Sequence, residues 1–338
     1  MSIRVEKITK NLEMMLRDVF HFDASVQQAL VVFDTATELT RQMVEGYRAA
    51  IPTATFLDFA EAGSSGVRLA LEKLRRKDLV VLVQTSNFRI DDFRIRIELF
   101  QRGFGVVEHV HLGRLKAGEE DVYVESLAYD SDFYHRYGLG LKRVIDSASR
   151  VEVECAGGTK LVYDTAMESA KLNIGDYSGM ENVGGTFPIG EVFSEPKDLT
   201  KVNGEAVLWG FGGLDFTTRI CEPFKVRITN GILTADEHAP AEFKEILAKI
   251  SADEEVLVRE FGLGLNRAFS RDRVVADITA FERQYGMHMS LGAKHTVYKK
   301  EGIATKKTRH HVDVFVDLAK ITMDGVVVFE NGEFVVSN

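Results

Sequence analysis

The chain has 338 residues, 45% hydrophobic and 28% charged, the balance of a globular protein long enough for two domains. Its net charge of −9 argues against a nucleic-acid binder, which carries a basic face. Cys155 and Cys221 form no CxxC or Cys/His cluster, which argues against finger-type structural zinc and points to a reducing, cytoplasmic compartment.

From the start of the chain, MSIRVEKITKNLEMMLRDVF mixes charges with apolar residues at helical spacing, so no signal peptide is expected. No stretch approaches the ~18 apolar residues of a membrane span. Ala29–Phe33 (ALVVF) is a short β-rich run, and Thr35–Ala50 has apolar residues at helical spacing. Thr53–Phe59, a helical stretch Ser65–Lys77 and the strand Asp78–Gln84 (DLVVLVQ) follow. Phe93–Arg102 predicts a helix, Val106–His111 a strand and Tyr134–Ala148 a helix. This alternation predicts an α/β N-terminal domain with a mostly parallel sheet over residues 1–150, a scaffold or dimerisation unit. No GxGxxG follows the first strand, and Gly138-Leu139-Gly140-Leu141 is too short to count, so no dinucleotide cofactor is expected.

Near residue 150 the texture changes. Arg150–Glu154 and Thr159–Thr165 read as a hairpin turned at Gly157-Gly158. Glycines become dense, and Phe224–Ile228 with Gly231–Ala235 reads as a second hairpin turned at Asn230-Gly231. Pro240–Ile250 is an amphipathic helix. Ile321–Phe329 and Glu333–Val336 read as a hairpin turned at Glu330-Asn331-Gly332. Residues 151–338 are therefore expected to form a β-rich α+β catalytic domain.

Four segments of this half combine metal-competent side chains with glycine turns. In Gly184–Pro196 (GGTFPIGEVFSEP), a proline and a glycine precede Glu191 and aim one carboxylate. In Arg259–Asn266 (REFGLGLN), Glu260 is placed at a strand end beside a loop. Tyr285–Gly292 (YGMHMSLG) sets His288 between methionines. In Arg309–Asp317 (RHHVDVFVD), His311 and Asp313 project to one face of a strand, a ligand pair for zinc, cobalt, manganese or iron. The basic run Lys299, Lys300, Lys306, Lys307 and Arg309 lies beside these residues, either as a solvated loop or as a patch that attracts an anionic substrate group.

At these four segments the sequence resembles the M29 family of metallo-aminopeptidases, of the aminopeptidase T and aminopeptidase S type. The resemblance covers residues 155–338 specifically. It implies that Glu191, Glu260, His288, His311 and Asp313 hold two divalent zinc, cobalt or manganese ions, and that the chain forms a homodimer. It further implies hydrolysis of N-terminal peptide bonds by a metal-activated water, with Glu191 or Glu260 as general base. Where the family has a tyrosine that stabilises the tetrahedral intermediate, this chain has His295, with Tyr298 nearby. The stretch between His288 and His311 is also shorter than in that family, which bears on substrate preference.

Two alternatives stand beside that reading. Related dioxygenases use one iron(II) to open hydroxylated pyridine rings, and His288, His311 and Asp313 would make a two-histidine, one-carboxylate set for a small acidic aromatic substrate. Those relatives carry histidine where this chain has Glu260, so keeping Glu260 with His288 favours the hydrolase. A non-catalytic family member acting as a binding partner is the third reading.

Overall fold

The computed structural model describes residues 2–90, 93–109, 111–293, 298 and 308–336. His295 and the lysines of the basic run lie outside the described residues. The chain divides into two compact units, Met1–Ser131 with Gly175–Ile189, and Asp132–Ile174 with Gly190–Asn338.

The first unit is built on a five-stranded sheet. Its strand order is Val183–Phe187, Gly105–His109, Leu79–Val83, Ala29–Phe33, Thr55–Asp58, and every neighbouring pair is parallel. The central runs ALVVF and LVVLV are buried at every position, as strands covered on both faces require. Leu30, Val32, Val80, Leu82 and Val106 pack with Val67 and Leu71 of helix Phe59–Leu71 and Leu99 of helix Ile95–Gln101. Thr37 caps helix Glu38–Ala50 by accepting the Thr40 N–H, which fixes its start. Helix Phe59–Leu71 begins earlier than its periodicity predicts, because Asp58 caps it through the Ala60 N–H.

The strand Val183–Phe187 adds a fifth strand that the sequence pattern does not mark. It pairs in parallel with Gly105–His109, and Gly184 lies opposite Val106. A Cβ on Gly184 would collide with the Val106 carbonyl oxygen, so the glycine permits the close approach.

The second unit is β-rich. Helix Ser131–Ser147 leads into it, and a 13-stranded sheet dominates it. Along the sheet the strands run Glu333–Phe334, Val326–Glu330, Lys320–Met323, Val151–Glu154, Lys160–Tyr163, Val202–Gly212, His311–Val316, Gly286–Gly292, Val258–Gly264, Glu191–Ser194, Lys171–Asn173. Thr218–Thr229 pairs with Val202–Gly212 and carries Ile232–Ala235 on its other edge. All these pairings are antiparallel. The hairpin at Asn230-Gly231 forms as expected, both turn residues taking positive φ. Ile321–Phe329 is not one strand. Asp324-Gly325 also takes positive φ and splits the run into a hairpin, and Asn331-Gly332 turns the chain again. Among the described residues no helix is long and apolar enough to cross a membrane.

Candidate metal centre

Four neighbouring strands of the second unit assemble the site. Register sets Glu191 opposite Gly264, Gly262 opposite His288, and Ser290 opposite Asp313. Side chains alternate along strands, so Glu191, His288, His311 and Asp313 reach one face, and Glu260, which sits at a register shift between Val258 and Phe261, joins them through its contact with His288. Gly190 has a φ of 122° and donates its N–H to the Asn173 carbonyl, delivering Glu191 to the first position of its strand. Glu260 is not at a strand end, as expected from the glycines beside it, but inside Val258–Gly264. Those glycines serve packing. A Cβ on Gly262 would land on the His288 imidazole, which lies across this position.

The side chains converge in a nearly dry setting. His288 is 0% exposed, Asp313 4%, and Glu191 and Glu260 5% each. His288 Nε2 lies 3.1 Å from Glu260 Oε1 and 3.3 Å from Glu191 Oε1. Ligand atoms of these three residues lie within 4.8 Å of one another. His311 Nε2 lies 3.1 Å from Asp313 Oδ1, and its side chain is the most open of the set at 36% exposure.

The imidazole orientation is informative. His311 Nδ1 faces the Ala293 carbonyl at 3.2 Å, and only a protonated nitrogen can bond there. In neutral His311 the Nε2 lone pair then faces a carboxylate oxygen. Such an arrangement needs a positive charge in between, either a proton or a metal ion. Anchoring one ring nitrogen on a backbone carbonyl is also how metal-binding histidines are oriented.

Electrostatics tell the same story. Burial alone would push His288 down, but hydrogen bonds to Glu191 and Glu260, and their charges, outweigh it and push it up to about 10. Burial also opposes charge on His311, yet Asp313 and then Glu260 push it up to about 10. Glu191 and Asp313 would rise on burial. Instead the charges of Arg283 and His288 hold Glu191 low, and His311 holds Asp313 low. Glu191, Glu260 and His288 form an oxygen–nitrogen group that could hold a divalent zinc, cobalt, manganese or iron ion, and the His311–Asp313 pair lies on the same face outside that group.

Arg283 is the functional candidate that sequence reasoning missed. It is buried, and its Nη2 lies 3.7 Å from Glu191 Oε2. A lone arginine in FERQYGMH carries no spacing signal. Tyr298 is tied to the backbone. Its hydroxyl lies 3.1 Å from the Ser169 carbonyl and 3.2 Å from that of Phe193, so its proton is spent on the backbone.

No family model and no curated protein matches this sequence. Solved structures share its fold. The 2,5-dihydroxypyridine dioxygenase from Pseudomonas putida KT2440 is similar with a TM-score of 0.67 at 16% identity, over 99% of this chain and 98% of that one. Wild-type AmpT from Thermus thermophilus is similar with a TM-score of 0.60 at 15% identity, over 98% of this chain and 99% of that one. At these identities the likeness establishes the fold alone.

Proposed function

We propose that the chain is a metal-dependent hydrolase of the M29 aminopeptidase type, removing residues from the N-termini of unblocked peptides. The observation that carries this reading is the set of imidazole nitrogens turned toward carboxylates, His288 toward Glu260 and Glu191, and His311 toward Asp313. The fold shared with AmpT supports it. Glu191, Glu260, His288, His311 and Asp313 would hold zinc, cobalt or manganese. When bound, such an ion supplies Lewis acidity toward the scissile carbonyl and lowers the pKa of water.

The chain's own groups do the remaining work. Glu191 is pinned on both sides, with Oε1 facing His288 and Oε2 facing Arg283, which suits a fixed ligand. Glu260 faces His288 through Oε1, and among the described residues its other oxygen makes no hydrogen bond. We assign Glu260 to take the proton of the attacking water. The reading is tested by reconstituting the purified protein with each ion and offering unblocked peptides beside their N-acetylated counterparts. Release of amino acids from the unblocked set alone is expected. No release with any ion would sink the reading.

One observation favours a second reading. His288, His311 and Asp313 also make the two-histidine, one-carboxylate pattern of iron(II) oxygenases, and a dioxygenase shares the fold. Iron-dependent oxygen uptake with hydroxylated aromatic acids, without peptide cleavage, would select it.

A further inference from the structure

Beside the candidate ligands stands a buried cation. Arg283 Nη2 faces Glu191 Oε2, while His288 faces the other oxygen of the same carboxylate. A carboxylate that bridges two metal ions offers one oxygen to each. Here the second oxygen of Glu191 already has a positive partner.

That partner is fixed in place. Arg283 Nη1 donates to the Thr279 carbonyl and contacts Glu282, and the Arg283 carbonyl accepts the Asn266 N–H at 3.0 Å. Thr279 belongs to the short helix Ile278–Phe281, and Glu282 directly follows it.

Charge points the same way. Among the described residues that meet here, Glu191, Glu260 and Asp313 contribute three negative charges and Arg283 one positive, so with neutral imidazole ligands these four side chains sum to −2. One divalent ion cancels that sum. Glu282 lies at the other end of the guanidinium with its side chain 19% exposed. Counting it gives −3, still short of the +4 of two ions. A guanidinium keeps its proton, so a second ion would meet a permanent positive charge at Glu191.

We infer that Arg283 is a positioning residue that takes the electrostatic place of a second metal ion, so that this centre holds one divalent ion per chain. The inference rests on the metal reading above. It departs from the two-ion arrangement implied by the M29 resemblance.

The test is a count of ions, independent of turnover. Purified wild-type protein, Arg283→Met and Arg283→Lys are dialysed against zinc or manganese and analysed for metal per chain, with near-ultraviolet circular dichroism to confirm folding. One ion is expected in wild type and Arg283→Lys, rising to two in Arg283→Met. Should Arg283→Met not fold, Arg283→Gln replaces it, keeping a donor for the Thr279 carbonyl. Two ions in wild type, or one ion in a folded Met or Gln variant, would overturn the role of Arg283. No ion in wild type would overturn the metal reading itself, and this inference with it.

Discussion

Loading the centre with a divalent ion should expel close to two protons. In the metal-free protein His288 and His311 are both pushed up to about 10, so at neutral pH each imidazole carries a proton between its Nε2 and a carboxylate. An ion that binds these nitrogens needs their lone pairs, and both protons leave. Below about pH 9, each unit of acidification therefore weakens binding by about 100-fold, or about 2.7 kcal/mol. Calorimetric titration in two buffers of different ionisation enthalpy measures the released protons directly. A count near two, with affinity falling as pH falls, is expected. Proton release near zero and a flat pH dependence would refute the argument, since the nitrogens would then not be facing ionised carboxylates. Stability of the metal-free protein carries the opposite sign. A raised imidazole pKa stabilises the fold fully below about 6.5. That contribution is lost as pH climbs through about 10.

Further consequences can be measured separately. Glu260→Gln should lower kcat by about 10²–10⁴-fold if Glu260 is the general base, with peptide hydrolysis as the assay. Gly262→Ala places a methyl on the His288 ring, so it should cost about 1–3 kcal/mol by thermal unfolding and weaken metal binding with it. Gly184→Ala pushes against the Val106 carbonyl and should destabilise by a similar amount, leaving metal content unchanged in the folded fraction. His311→Ala should abolish turnover while preserving the fold. Unaltered turnover in that variant would remove His311 from the centre.

Much of the fold was readable because apolar runs announce buried strands. ALVVF and DLVVLVQ became the centre of the parallel sheet, and Asn230-Gly231 turned its hairpin as its residue types demand. The fifth parallel strand was not readable. Val183–Phe187 contains two adjacent glycines, and its partner Gly105–His109 lies far away in sequence, so nothing local favours pairing. Asp324-Gly325 went unnoticed for the opposite reason, since apolar residues on both sides read as one continuous strand.

The candidate centre was legible where chemistry and alternation coincide. His311 and Asp313 meet because residues two apart on a strand share a face. The glycines beside Glu260 were misread as a loop, because their purpose is room for an imidazole from the neighbouring strand. Arg283 stayed hidden for a related reason. Its meeting with Glu191 is set by how the segment after helix Ile278–Phe281 folds back, which no periodicity records.

The most direct test of the account is anomalous diffraction from crystals grown with manganese or zinc. The account predicts a peak within reach of Nε2 of both His288 and His311, among the Glu191, Glu260 and Asp313 carboxylates. A fully loaded protein whose ion sits elsewhere, with His288 still against Glu260 and His311 still against Asp313, would contradict it.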